Sequence, residues 1–235
     1  AHEIATSERP GPVLVDICKD AKTGSSKNGH ERKKLAGYEQ DHEFDEERAD
    51  EILRALSRAQ KPIIYGGGGL IDSDEEFEKF AEKFNTPVTL TLTGSGAISH
   101  DHPLYTGMCG MHGTVCSNYS LQEADFILAL GSRFDDRVAL KGFGEKAKIA
   151  HVDIDPSEIN KTRQMHFSLN SDAAHFLEYA NQASSELNSR GEWLQKIEKW
   201  KERTPDYESK DGISPQEMMR AISEYTKGES IVSTG

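Results

Sequence analysis

The amino-acid sequence predicts an α/β fold built on a doubly wound parallel sheet, and three observations lead to this prediction. Between residues 46 and 185 a helical pattern and a strand pattern alternate about five times, which is the order of βαβ units. The clearest strand, Phe126–Leu130 (FILAL), is an unbroken apolar run that stops at Gly131. Such runs are typical of strands buried on both faces of a parallel sheet. Glycine or polar residues follow several of these strands, where ligands bind in sheets of this kind.

Composition narrows the class of protein. The 235 residues carry a net charge of −12, which disfavours nucleic acid or an anionic membrane surface as the main partner. No run in the sequence approaches the roughly 18 apolar residues that cross a bilayer. The cysteines, Cys18, Cys109 and Cys116, are odd in number and lack paired metal-ligand spacing. We therefore expect reduced thiols in a cytosol-like compartment.

The N-terminal part combines a predicted strand, a predicted linker and a predicted helix. Pro12–Ile17 is largely apolar and follows the turn residues Arg9-Pro10-Gly11, which predicts a strand. Residues 25–45 are mostly polar and predict an exposed linker. Glu46–Ala59 has an apolar period of 3.6 residues and predicts a helix. The apolar positions of that helix are Ala49, Ile52, Leu53 and Leu56.

The next strand, Pro62–Tyr65, runs into four consecutive glycines, Gly66–Gly69. A backbone without side chains can approach a ligand closely, with its N–H groups free to face an anion. A plain glycine-rich turn explains the same residues equally well. The spacing also departs from the G-x-G-x-x-G dinucleotide pattern, so both interpretations stay open.

Another helix and strand follow the glycines. Ser73–Glu76 has the spacing of a capping box and predicts a helix start. Pro87–Leu92 predicts the next strand, and Thr93–Gly96 its polar loop. Residues 97–113 predict an irregular loop, in which His100-Asp101-His102 is expected to be solvated because no third metal ligand stands at a plausible local spacing. The positions that the helix is expected to bury are Phe77, Phe80, Ala81 and Phe84.

The loop after Phe126–Leu130 is densely charged. Arg133, Asp135, Asp136 and Arg137 lie within five positions. Two guanidinium groups suit a phosphate or another oxyanion, which they bind bidentately. Pairing of the arginines with the aspartates inside the loop is the alternative, with about equal weight.

Acidic residues end the following strand, Ile149–Asp155. Asp153 suits the hydroxyl groups of a ribose, although Asp155-Pro156 also has the form of a helix start. His166–Leu169 predicts a short strand, and Asp172 predicts the N-cap of an amphipathic helix.

The C-terminal part predicts two more helices. Residues 186–212 are expected to form a connector whose helix packs on its own surface, with Arg190 distant from the site. Ser214–Glu217 combines an N-cap serine, a proline and a glutamate, which predicts a second helix. Ile231–Gly235 has the pattern of a strand. Both ends of the sequence have the form of cuts through a longer chain.

The predicted strands place their polar ends together. In an open α/β sheet, ligands bind just beyond the carboxyl ends of the strands. We therefore expect the glycine run, Thr91–Gly94, Gly131–Arg137 and Asp153 to line one nucleotide-type crevice.

Three motifs carry a resemblance to a known family: Gly110–Thr114 (GMHGT), Arg133–Val138 (RFDDRV) and His151–Asp155 (HVDID). Because of these motifs, the chain resembles the catalytic subunits of acetolactate synthase (acetohydroxyacid synthase), which are thiamine-diphosphate enzymes. The resemblance implies five parts. These are the end of an N-terminal pyrimidine-binding domain (1–24), a linker (25–45), a central FAD-binding domain (46–185), a connector (186–212) and the start of a C-terminal thiamine-diphosphate-binding domain (213–235).

The resemblance also implies an activity and its cofactors. The family condenses two pyruvates, or pyruvate and 2-oxobutyrate, with release of CO₂ in branched-chain amino-acid biosynthesis. FAD without a net redox role is implied as the cofactor of this chain. Thiamine diphosphate and Mg²⁺ are implied mostly outside it, so the chain alone is expected to be inactive. The implied FAD contacts are Arg9, Gly67, Gly68, Gly69, Thr91, Leu92, Thr93, His112, Gly131, Arg133, Asp136, Arg137, Val138, Asp153 and Asp172.

Partners and compartment follow from the same resemblance. It implies 2-oxo acid substrates and a homo-oligomer that can pair with a regulatory subunit. The implied compartment is the cytoplasm of a prokaryote, or a plastid or mitochondrion of a eukaryote. Two alternatives stay open. One is the central domain of another thiamine-diphosphate enzyme, of the pyruvate oxidase or glyoxylate carboligase type, and the other is a nucleotide-binding module without catalysis.

Overall fold

The computed structural model describes residues 1–6, 9–25, 44–134, 143–184, 186–203 and 212–233. No helix within these ranges is both long enough and apolar enough to cross a membrane. The regular elements are α1 (His2–Thr6), α2 (Lys19–Thr23), α3 (Glu46–Arg58), β1 (Pro62–Gly66), a 3₁₀ turn (Gly68–Leu70), α4 (Asp74–Lys83), β2 (Val88–Leu90), β3 (Tyr105–Met108), α5 (Val115–Glu123), β4 (Phe126–Leu130), β5 (Lys148–Asp153), β6 (Phe167–Asn170), α6 (Ala173–Gln182), α7 (Gly191–Lys201) and α8 (Pro215–Thr226).

The described strands form one six-stranded sheet in the order β3-β2-β1-β4-β5-β6, and every neighbouring pair is parallel. The chain winds outward from β1 to β3, returns to the middle of the sheet, and winds outward on the other side from β4 to β6. The predicted doubly wound parallel sheet is therefore confirmed. Its topological switch point, where such folds bind ligands, lies between β1 and β4.

The central strands are buried on both faces, as their apolar sequences predict. Every residue of β4 is at most 2% exposed, and alternate residues of a strand face opposite sides of the sheet. Ile64 and Leu128 pack in one core together with α3, α4 and α6. Ile63 and Ile127 pack in a second core with Leu121 of α5. Helices therefore cover both faces, in the layered arrangement that α/β sheets require.

Helices α3 and α8 begin as predicted. The Asp45 side chain accepts a hydrogen bond from the Arg48 N–H at the start of α3. Ser214 and Glu217 form the predicted capping box of α8, with Pro215 in its first turn. These starts depend on residues within one helical turn of each other, which the sequence shows directly.

The capping box predicted at Ser73 is wrong. Helix α4 does begin at Asp74, but the Ser73 side chain makes no capping hydrogen bond. The backbone at Ser73 has φ −127° and ψ 22°, outside the extended conformation that normally directs an N-cap side chain toward the helix. Glu76 instead lies 3.3 Å from Lys79. The apolar positions of α4 and its C-cap are buried as predicted, at Phe77, Phe80, Ala81 and Phe84.

Two local predictions, for residues 97–113 and for the segment after Asp155, are also wrong. Residues 97–113 are not wholly irregular, because they contain β3, which pairs with β2 at the sheet edge. Its sequence, YTGM, is short and includes Gly107 at φ +104°, so it lacks the apolar run that marks the other strands. No helix follows Asp155. Its side chain accepts the Ser157 N–H at 2.9 Å, and residues 156–160 form turns.

The strands predicted near the two ends do not form. Residues 12–17 and 231–233 have no regular secondary structure. Their apolar side chains Leu14 and Ile231 are almost fully exposed. A strand is stable only when a neighbour pairs with it, and neither segment pairs with a strand in the described ranges. Residues 26–43 of the predicted linker lie outside the described residues, as do 234 and 235.

The prediction that the connector helix would not pack on the rest of the protein is wrong. Helix α7 packs on α5, one of the helices that cover the sheet. Trp193, Ile197 and Trp200 form a buried cluster with Cys116 of α5. Arg190, predicted to be distant, is 3% exposed. Its guanidinium donates to the Leu56 carbonyl at 2.6 Å and also to the Phe84 carbonyl. One arginine therefore satisfies carbonyls at the ends of both α3 and α4. Burial lowers its pKa to about 10, so the group is still charged at neutral pH.

Candidate functional site

Every strand of the sheet ends next to residues that the sequence predicts to hold a cofactor. Neighbouring strands lie about 4.8 Å apart, so the six strand ends extend over about 24 Å. An extended ligand fits this length better than a compact one. Along the edge, the predicted residues are His112 after β3, Thr91, Leu92 and Thr93 after β2, Gly67, Gly68 and Gly69 after β1, Gly131 and Arg133 after β4, Asp153 at the end of β5, and Asp172 after β6.

The loops after β1 and β4 touch at the switch point. The Gly67 N–H donates to the Leu130 carbonyl and the Gly69 N–H to the Gly131 carbonyl, both at 3.0 Å. A Cβ at Gly67 would lie 2.3 Å from the Gly131 oxygen, and one at Gly69 would lie 2.7 Å from the Gly131 Cα. Gly131 itself has φ +51°, a conformation that favours glycine. These glycines are therefore required for packing between the two loops, a role that neither interpretation of the glycine run had proposed.

Gly68 differs from the glycines on either side of it. A Cβ there would lie 3.4 Å from the Thr93 side chain, an ordinary contact distance. The hydroxyl groups of Thr91 and Thr93 are 3.1 Å apart, and Leu92 between them is 71% exposed. The loop after β2 therefore presents two hydroxyl groups and an apolar side chain beside Gly68, the one glycine of the run at which a Cβ would meet no close contact. The packing that requires glycine at Gly67 and Gly69 does not require it at Gly68, where the approach of a ligand stays a prediction.

Arg133 extends from the loop after β4 into solvent. Its side chain is exposed, whereas Phe134 beside it is 4% exposed and packs against Tyr65. The buried Phe134 fixes the loop and leaves Arg133 at the sheet edge. Asp135, Asp136, Arg137 and Val138 lie outside the described residues. The choice between anion binding and ion pairing in this loop therefore stays a prediction.

Asp153 is the buried acid of the edge. It is 6% exposed, and its Oδ1 accepts the Asp155 N–H at 2.9 Å. Its carbonyl accepts hydrogen bonds from the Ser171 N–H and from the Asn170 side chain. These bonds join the ends of β5 and β6 and hold Asp153 at the start of the loop that follows β5. Directly beside it lies His151, which the sequence did not single out as a site residue although alternation along β5 places both side chains on one face.

Arg9 reaches the same edge from the N-terminal segment. Its guanidinium lies 3.2 Å from a carboxylate oxygen of Asp155 and 3.2 Å from one of Glu158. Glu158 also pairs with Lys161 at 2.9 Å. A hydrogen bond from the Ser157 hydroxyl lowers the pKa of the Asp155 carboxyl, and Arg9 adds to this shift. Sequence patterns did not predict Arg9 at this edge, because only the fold brings residues 9 and 155 together.

His112 and Asp172 mark the two ends of the edge. His112 is exposed in the loop after β3, and Asp172 caps α6 by accepting the Ala174 N–H at 2.9 Å. Neither was expected near the crevice from sequence pattern alone. His112 could not be placed at the edge because the sequence predicted an irregular loop where β3 lies. Asp172 could have been placed there, because it directly follows the predicted strand that forms β6.

Two other groups of reactive side chains do not form catalytic sites. Glu78, Glu82 and His102 come within 4.8 Å of one another, the one such group in the described ranges. The His102 Nδ1 accepts the Leu104 N–H at 3.1 Å, so its Nε2 carries the proton, faces Glu82 and is not free to bind a metal. The Cys116 thiol is buried in the α5–α7 interface, and burial raises its pKa to about 11, which suppresses the reactive thiolate.

The fold and the edge define the chain as a doubly wound α/β protein with its ligand crevice at the β1–β4 switch point. A family model for the thiamine pyrophosphate enzyme central domain matches residues 49–179. The chain therefore belongs to the thiamine pyrophosphate enzyme central-domain family.

Curated relatives match along the whole chain. Acetolactate synthase 1, chloroplastic, of Zea mays is 40% identical over 247 residues. Acetolactate synthase, chloroplastic, of Arabidopsis thaliana is 37% identical over 247 residues, and the acetolactate synthase large subunit of Lactococcus lactis is 36% identical over 241. Each alignment covers 100% of this chain but only 39%, 37% and 42% of the respective relative. The chain thus spans about two fifths of the length of these relatives.

Proposed function

We propose that this chain is the central part of an acetolactate synthase catalytic subunit and binds FAD along the carboxyl edge of its sheet. The observation that carries the proposal is that cofactor-type residues follow all six strands on one edge, centred on the switch point between β1 and β4. The similarity to relatives named acetolactate synthase over the full chain supports the same proposal. A dinucleotide suits an edge of this length better than a mononucleotide.

Only some of the hydrogen-bond donors at the edge are free to bind the phosphates of a dinucleotide. The N–H groups of Gly67 and Gly69 are already bonded to protein carbonyls, so they cannot cradle a phosphate. The groups that remain are the backbone at Gly68, the hydroxyls of Thr91 and Thr93, and the exposed guanidinium of Arg133. Arg133 would bind the pyrophosphate, because guanidinium pairs with phosphate bidentately.

The acidic part of the edge would hold the sugar. The carboxylate of Asp153 has spare acceptor capacity and would accept hydrogen bonds from hydroxyl groups of a ribose. Leu92, largely exposed beside the hydroxyls, offers apolar surface to a ring system. The bound flavin would supply structure and no net redox chemistry.

The activity of the whole protein follows as a further part of the proposal. The full-length enzyme would condense two pyruvates, or pyruvate and 2-oxobutyrate, with release of CO₂. Thiamine diphosphate and Mg²⁺ would be held mostly by other segments of the full-length protein, so the 235-residue chain would be inactive alone. We propose a homo-oligomer that can pair with a regulatory subunit. The compartment would be the cytoplasm of a prokaryote or an organelle of a eukaryote; the relatives include chloroplastic and bacterial proteins.

A flavin titration tests the binding proposal. FAD is added to the purified chain and the quenching of flavin fluorescence is followed. Arg133→Ala should weaken binding at least about tenfold, because a charge-assisted hydrogen bond contributes about 1.5–3 kcal/mol. Arg54→Ala is the matched control, since Arg54 is 56% exposed on α3 and pairs only loosely with Asp50 at 3.6 Å. Absence of binding by the wild-type chain would contradict the proposal, as would equal affinities for the two variants.

A further inference from the structure

His151 is a buried polar side chain that the proposed flavin contacts do not include. It lies on β5 between Ala129 of β4 and Ser168 of β6 and is 0% exposed. The edge of the Phe134 ring packs against it with the ring centroids 5.2 Å apart. Neither Nδ1 nor Nε2 makes a hydrogen bond with any described residue.

An unpaired imidazole at this position is costly. A buried donor or acceptor without a partner destabilises a protein by about 1–3 kcal/mol, and such groups are few in native proteins. An apolar residue of similar size would fill the same space in the core without that cost. The position of His151 therefore calls for a role that an apolar side chain cannot perform.

The polar group that faces His151 is the carboxylate of Asp153. Its Oδ2 lies 3.5 Å from the His151 Nε2, slightly beyond a good hydrogen bond. The other oxygen, Oδ1, is already held by the Asp155 N–H at 2.9 Å. Because a strand places residues two apart on the same face, the two side chains can approach by a small rotation. His151 is thus placed to fix Oδ2.

We propose that His151 is a positioning residue that donates its Nε2–H to Oδ2 of Asp153 and holds the carboxylate ready for the hydroxyl groups of a nucleotide ribose. The inference rests on the proposed function for the identity of the ligand. Donation from Nε2 requires the tautomer that carries its proton on Nε2. With one protein donor on each oxygen, the remaining lone pairs of Asp153 face the ligand in one orientation.

Substitutions that keep or remove the donor test this role. His151→Leu removes the N–H and should weaken FAD binding about tenfold. His151→Gln places an amide N–H at a similar reach and should restore affinity to within about threefold of the wild type. In an Asp153→Ala background, His151→Leu should have no further effect, because the group that it positions is absent. A folded His151→Leu protein that binds FAD as well as the wild type would overturn the inference.

A measurement without ligand separates this inference from the flavin proposal. The ¹⁵N resonances of the imidazole rings distinguish the two neutral tautomers, and the signal of His151 among the nine histidines is assigned by its loss in His151→Gln. The inference expects the Nε2–H tautomer in the free wild-type chain. A ring with a proton on Nδ1 and none on Nε2 overturns it. If the wild type does not bind FAD, the proposed function falls, and the tautomer alone decides the role of His151. If the His151→Leu variant does not fold, the tautomer of the wild-type ring again decides the role of His151.

Discussion

Helices α7 and α8 follow each other along the chain and have similar amphipathic sequences, yet only one of them joins the core. Trp193 and Trp200 of α7 are 3% and 7% exposed against α5. In α8, no residue is buried, and Tyr225 is 91% exposed. The capping box of α8 is nevertheless better formed than the start of α7, which has no side-chain cap.

The difference teaches that helix formation and helix packing depend on separate information. A cap and a 3.6-residue apolar period decide that a helix forms. The stability of its packing comes from a complementary surface, which α5 provides for α7 and which no element in the described ranges provides for α8. The same contrast separates β4, paired on both sides, from the apolar but unpaired residues 12–17.

The largest effect should come from Trp193. Trp193→Ala should lower the free energy of unfolding by about 3–5 kcal/mol, because it removes packing against Trp200 and the Nε1–H hydrogen bond to the Pro62 carbonyl at 2.9 Å. Tyr225→Ala on α8 should change it by less than about 0.5 kcal/mol. Urea denaturation followed by circular dichroism measures both. Similar losses in the two variants would mean that α8 packs as tightly as α7.

A smaller effect is expected within the glycine run. Gly67→Ala should destabilise the chain by about 1–3 kcal/mol, because its Cβ would lie 2.3 Å from the Gly131 oxygen and the two loops would have to move apart. Gly68→Ala is the matched control and should cost less than about 1 kcal/mol, since its Cβ has room. Thermal unfolding of both variants tests this. Equal melting temperatures would show that the loops do not touch at the switch point.

The smallest effect concerns the N-terminal segment and depends on pH. The pKa of Asp155 is depressed in the folded chain, so its stabilising contribution is present above the unfolded pKa of about 3.9 and is lost as the pH falls through the folded pKa. Asp155→Asn should therefore be less stable than the wild type at pH 6, by at most about 1 kcal/mol because the Arg9 pair is partly exposed. That difference should shrink as the pH falls below about 4.

Arg9→Ala sharpens the same test. It should reproduce only part of the Asp155→Asn effect, because the Ser157 hydroxyl contributes more to the pKa shift than Arg9 does. The free energy of unfolding is measured across the pH range for all three proteins. A difference between wild type and Asp155→Asn that does not vary with pH would contradict the assigned cause.

Much of the fold could be predicted because its signals are local. The apolar runs that became β1 and β4, the period of α3 and the caps at Ser214 and Asp172 each depend on residues within a turn or a strand of one another. β3 escaped prediction because its four residues carry a glycine and no apolar run. The Ser73 capping box failed because the spacing does not encode the backbone conformation at Ser73, which is not the extended one of a usual N-cap.

The sequence by itself determined the parallel α/β class, most of the strands, and the loops in which polar residues follow them. Only the tertiary structure decided how those residues are used. It assigned Gly67 and Gly69 to packing against Gly131 and left room for a side chain at Gly68. It also buried Arg190 against two helix ends and placed Arg9 3.2 Å from Asp155. The physical reason is range: propensities and caps act between near neighbours in the chain, whereas these contacts depend on strand order and on how the loops of separate elements meet.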